Sequence, residues 1–146
     1  MLGYENKLKM ADFYLYLSSN DCINLFPSNT QNQFSVNLGK QLTGEWKCGL
    51  KEIYFMLSSE IPTVAYILCD KCERSYVRGT YMTLLRRITL PVMEGIYSES
   101  FSDTYYKRVT SSDISQLTIS IRGELGMYKG LEHLPTLCVL HFIKND

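Results

Sequence analysis

The chain is built from short segments of β-type alternation broken by turn residues, and nowhere does an apolar period of 3.6 persist long enough for a helix. Phe34, Val36 and Leu38 alternate with Ser35, Asn37 and Gly39, and Leu117, Ile119 and Ile121 alternate with Gln116, Thr118, Ser120 and Arg122. Each segment reads as a strand with one buried and one wet face. Trp46, Cys48 and Leu50 alternate with Lys47, Gly49 and Lys51, but Ile53 and Phe55 then fall on the face of the lysines. A bulge or a change of sheet near Lys51 and Glu52 accounts for that slip.

Further strands are expected from Asp12 to Ser18, Val64 to Cys69, Leu84 to Leu90, Thr104 to Thr110 and Thr136 to Ile143. The last is apolar on both faces over Leu137-Cys138-Val139-Leu140, which predicts a central or covered strand. Turn chemistry separates these segments at Ser18-Ser19-Asn20-Asp21, Pro27-Ser28-Asn29, Gly39-Lys40, Pro91, Ser111-Ser112-Asp113 and Gly123-Glu124-Leu125-Gly126. Strands of this number in 146 residues, with no crossover helix, predict an all-β, antiparallel, eight-stranded jelly-roll sandwich. Residues 1–11 are expected to form an N-terminal arm and residues 12–146 a single domain. The core is expected to contain Phe34, Trp46, Leu50, Ile119 and Val139.

Fifteen basic and fifteen acidic residues balance, which removes the overall positive field that non-specific nucleic-acid binding needs; no direct nucleic-acid contact is expected. The amino-terminal stretch has no apolar signal region, and no apolar run is long enough to span a bilayer, so a soluble product of a reducing compartment is expected. The five cysteines, an odd number, are then expected to be free thiols. Cys69 and Cys72 have the spacing of half a zinc site, but no second Cys or His pair stands at ligand spacing, so no metal is expected.

No nucleophile elbow or Cys/His signature surrounds a candidate Ser or Cys. His133, in a Gly130-to-Pro135 loop, and His141, in a strand, do not form the His-x-His pattern of a metal-dependent jelly-roll enzyme. Gly123 and Gly126 are not followed by the Lys-Ser/Thr helix start of a phosphate loop. The chain therefore reads as neither an enzyme nor a cofactor binder. Arg86 and Arg87 place one guanidinium on each face of a strand, in an intramolecular ion pair or a subunit contact. Eleven tyrosines add to the case for a protein interface, and Tyr105 and Tyr106 join the two arginines as candidate contact residues.

Blocks in a fixed order carry a more specific signal. Phe13-Tyr14-Leu15-Tyr16-Leu17-Ser18-Ser19 is followed by Phe26-Pro27-Ser28-Asn29-Thr30, Phe34 and Leu38, and then by Leu42-Thr43-Gly44-Glu45-Trp46-Lys47-Cys48-Gly49-Leu50-Lys51-Glu52-Ile53. Tyr66-Ile67-Leu68-Cys69-Asp70, Gly79, Leu84-Leu85-Arg86, Ile114 to Glu124 with Gly126, and Val139-Leu140-His141-Phe142 complete the series. The series resembles the penton, or minor capsid, proteins of Polinton/Maverick elements and adintovirus-like viruses, over nearly the whole chain from Asp12. Phe26 and Cys48 stand where that family has Tyr and Val, and the segment after Ile53 lacks its Tyr-Pro.

The resemblance implies a single jelly roll at capsid vertices, self-assembly into homopentamers, and contact with a double-jelly-roll major capsid protein. It implies a virion location after synthesis in the host cytoplasm, with assembly there or in the nucleus. It carries over no catalytic residue. Within it, Cys72 becomes incidental, and Trp46 becomes a core anchor whose ring faces the backbone near Gly49. The rival from another class is a jelly-roll module that binds carbohydrate or a receptor.

Overall fold

The computed structural model describes residues 12–21, 23–57, 64–91, 95–110, 113–123, 126–127 and 135–144. Twelve strands occupy them, not eight: β1 (Asp12–Ser18), β2 (Gln33–Thr43), β3 (Trp46–Leu57), β4 (Val64–Cys69), β5 (Ser75–Val77), β6 (Thr80–Met82), β7 (Leu84–Thr89), β8 (Gly95–Ser100), β9 (Tyr106–Arg108), β10 (Asp113–Gly123), β11 (Gly126–Met127) and β12 (Leu137–Lys144). The excess is four short strands of two or three residues, β5, β6, β9 and β11. The segment expected as one strand from Thr104 to Thr110 contracts to β9, and β8 arises from a stretch whose polar residues hid it.

The eight long strands form two antiparallel sheets. One runs β1-β12-β3-β8, with β9 also on β3; the other runs β11-β10-β4-β7, with β2 also on β10. Since β4 and β2 overlap on Ile119 and Ser120, they flank β10 on opposite sides. The chain passes from one sheet to the other at nearly every long connection, which is the jelly-roll order. Phe34, Trp46, Leu50 and Ile119 are buried between the sheets, as expected.

The alternation of β3 changes phase at one residue. Val139 pairs with Glu52 and Leu140 with Leu50, leaving Lys51 as the extra residue of a bulge. Trp46, Cys48 and Leu50 face inward before it; Ile53, Phe55 and Leu57 face inward after it. The bulge also marks where β3 changes neighbour, from β9 at residues 47–49 to β8 at residues 52–57, and Phe101 N–H donates to the Lys51 carbonyl there at 2.7 Å.

Two core expectations are corrected. Val139 is only half-buried, because β12 is central within its sheet yet turns Leu137 and Val139 to the outer face. Trp46 and Gly49 lie on opposite faces of β3; the Trp46 ring instead meets Phe13 edge-on at 5.2 Å while its Nε1–H donates to the Thr43 carbonyl at 2.9 Å. The arm of residues 1–11, Cys22 and His133 lie outside the described residues.

Candidate assembly surface

Of the four candidate contact residues, the fold brings Arg86 and Tyr105 together and sends Arg87 and Tyr106 elsewhere. Arg86 reaches from β7 to the loop between β8 and β9. Its guanidinium carbon lies 4.0 Å from the Phe101 ring centroid and 4.3 Å from that of Tyr105, and Nη1 donates to the Asp103 carbonyl at 2.6 Å. The planar fork thus ties one sheet to a corner of the other. Tyr105 keeps 53% of its surface exposed. Arg87 is exposed, and its register partner on β4 is Tyr66.

Tyr106 belongs to a row that crosses the first sheet. Tyr14, His141, Gly49 and Tyr106 are successive register partners on β1, β12, β3 and β9. With no side chain on Gly49, the Tyr106 ring lies across β3, and its hydroxyl is 2.8 Å from His141 Nδ1. His141 Nε2 is 2.9 Å from Asp12 Oδ2, and the Tyr14 ring stacks on the imidazole at 4.3 Å. A neutral imidazole has one donor and one acceptor, so the carboxylate selects the Nε2–H tautomer and Nδ1 accepts from Tyr106. Burial raises the Tyr106 hydroxyl above its ordinary pKa, keeping it a donor. The result is a polar chain within an outer sheet face, buried at His141 and open to solvent at Asp12.

Beside that row the same face becomes apolar. Tyr16, Tyr54, Leu137 and Val139 line a groove of about 260 Å³ with Glu52, Ser98 and Ser100 at its polar side. Tyr16 is 74% exposed and Leu137 40%. Ser100 Oγ donates to Glu52 Oε1 at 3.0 Å. The alternation of Asp12 to Ser18 puts Tyr14 and Tyr16 on one face, but only the strand register shows what they meet.

Cys48, Cys69, Cys72 and Cys138 are buried free thiols. Cys72 is buried in the core cluster with Cys48 and Cys69, so it is part of the core and not incidental. Among the described residues, no group of three or more His, Cys, Asp or Glu side chains is placed to hold a metal ion.

No family model and no curated protein matches the sequence. The solved structures that align include two loose matches. The Drosophila NLP core, described for pentamer formation and histone binding, has a TM-score of 0.38 at 12% identity, over 92% of this chain and 99% of that one. The virus-like particle of the extra small virus of the prawn Macrobrachium rosenbergii has a TM-score of 0.32 at 5% identity, over 92% of this chain and 79% of that one. Likeness at this level says nothing about what this chain binds.

Proposed function

We propose that this chain is a structural capsid protein, a penton subunit that forms homopentamers at icosahedral vertices and abuts a double-jelly-roll major capsid protein. The observation that supports the reading is the coincidence of the penton-like sequence blocks with the strands of the jelly-roll order. Phe13 to Ser18 falls on β1, Trp46 to Ile53 on β3, Tyr66 to Cys69 on β4, Leu84 to Arg86 on β7 and Val139 to Phe142 on β12. The protein would act in the virion by packing, without catalysis or a cofactor. A five-fold ring needs two different lateral patches that meet head to tail. The corner carrying Tyr105 and Arg87 on β7 are the surfaces offered to it.

Scattering-based mass measurement at high concentration, or imaging of particle vertices, should give five copies about one axis. A two-fold dimer in solution combined with absence from vertices would remove this reading. The second reading, a carbohydrate- or receptor-binding module, is favoured by one observation: the exposed Tyr16 ring beside Glu52 in the outer groove. A glycan array with no binder counts against it.

A further inference from the structure

The Cys69-Asp70-Lys71-Cys72 segment is closed by its own hydrogen bond. Cys72 N–H donates to the Cys69 carbonyl at 3.1 Å, which makes residues 69–72 a β-turn. Such a turn holds its first and last Cα atoms within about 7 Å, the separation from which a disulfide forms without backbone movement. Cys69 and Cys72 are 1% and 2% exposed and belong to one core cluster, so both side chains leave the turn on its inner side. A disulfide needs that shared direction as much as the short separation.

The same turn sits where the two sheets meet. Towards β10, Asp70 N–H donates to the Thr118 carbonyl at 3.1 Å, and Asp70 Oδ1 accepts from Thr118 N–H at 2.9 Å. Towards β9 and the residues after it, the Lys71 carbonyl accepts from Thr110 N–H at 2.9 Å, Cys72 forms a β-bridge with Val109, and Glu73 N–H donates to the Arg108 carbonyl at 2.8 Å. Val109 N–H in turn donates to the Trp46 carbonyl of β3 at 2.8 Å. A covalent bond across the turn therefore fixes the seam between β4 and β10 of one sheet and the β3-β9 corner of the other.

We propose that Cys69 and Cys72 are a latent disulfide pair, closed by exchange with a low-molecular-weight disulfide to lock this seam. One thiolate attacks a sulfur of the oxidant and expels a thiol; its partner then attacks the protein sulfur of the mixed disulfide and expels the second. The pair loses two protons and two electrons, and the oxidant leaves as two thiols. Neighbouring thiols and burial together hold both groups above their ordinary pKa, so exchange waits for the turn to open and is slow at neutral pH. Both thiols belong to one chain, so this holds whether or not the chain is a penton.

Trypsin cuts after Lys71, which puts Cys69 and Cys72 on peptides 52–71 and 72–74. The test incubates the native full chain with glutathione disulfide, alkylates the remaining thiols and maps the tryptic peptides without reductant. The two peptides should be joined as the main product, free of glutathione, and dithiothreitol should part them. The oxidised protein should keep its buried Trp46 emission and melt roughly 5 °C above the reduced protein, the scale for closing a short loop in a chain of this length. Cys72→Ala should cancel that rise. Cys72 joined mainly to another cysteine, glutathione adducts alone, thiols that close only in denaturant or not at all, or a melting temperature that closure leaves unchanged or lowers would each overturn the inference.

Discussion

The ring of Tyr106 occupies the space that a side chain on Gly49 would need: an added Cβ would stand 3.0 Å from Tyr106 Cδ1 and 2.5 Å from Thr104 Cγ2. Gly49→Ala should therefore destabilise the fold by roughly 1–3 kcal/mol, the usual cost of overpacking. Adding Thr104→Ser, which deletes the nearer methyl and keeps the hydroxyl, should recover part of the loss. Denaturant midpoints of the single and double variants measure both effects, and additive losses would show that the methyl is not the obstacle.

Trp46 is the sole tryptophan, buried against Phe13 with Lys144 Nζ 5.2 Å from its ring. Trp46→Ala should lower stability by roughly 3–5 kcal/mol. In the intact protein its emission should be blue-shifted and resist acrylamide quenching. A water-like spectrum would mean that the end of the sandwich near Thr43 and Lys144 is open.

The paired arginines should separate cleanly in a folded monomer. Arg86→Ala removes the contacts to Phe101, Tyr105 and the Asp103 carbonyl and should weaken stability by about 1–2 kcal/mol. Arg87→Ala should leave stability within about 0.5 kcal/mol, as surface changes usually do. If Arg87 serves the subunit contact, its loss will instead appear in the concentration dependence of assembly.

Alkali should unfold the protein early. Burial pushes the Cys138 thiol from an ordinary 9.0 up to about 12, and the Cys48, Cys69 and Cys72 thiols are raised as well. Between those values the unfolded chain loses protons that the folded chain retains, so stability is complete below pH ~9 and falls as pH rises towards ~12, by up to roughly 1.4 kcal/mol per pH unit for each such thiol. Equilibrium denaturation from pH 7 to 11 checks the sign. An excess of chelator at pH 7 should leave the melting temperature unchanged.

How much of this was readable in the sequence depended on the range of the interaction. Phe34 to Leu38 and Leu117 to Ile121 have clean alternation, a local property, and both became strands with the expected faces buried. Even the phase slip of β3 showed, because a bulge is also local. Val139 was misjudged because apolar residues on both faces of a strand do not say which face has a cover. The β5 and β6 hairpin was hidden since its turn uses Arg78 and Gly79, with φ of 48° and 89°, where Asn-Gly would have announced it. The Tyr14, His141, Gly49 and Tyr106 row comes from four distant segments and depends on register. Likewise, Arg86 could be placed on a strand but not beneath Phe101 and Tyr105, which belong to the opposite sheet's corner.

The extra residue at Lys51 makes β3 two half-strands with independent phase. Removing it would not shorten the strand slightly; it would turn Ile53, Phe55 and Leu57 towards solvent or pull Trp46, Cys48 and Leu50 out of the sandwich. Each half can exchange side chains within its own pattern while the other stays as it is. A change in their count by one breaks the agreement between them. Along this strand, drift in composition is tolerated and drift in length is not, so the single inserted residue acts as a reading frame for the sheet.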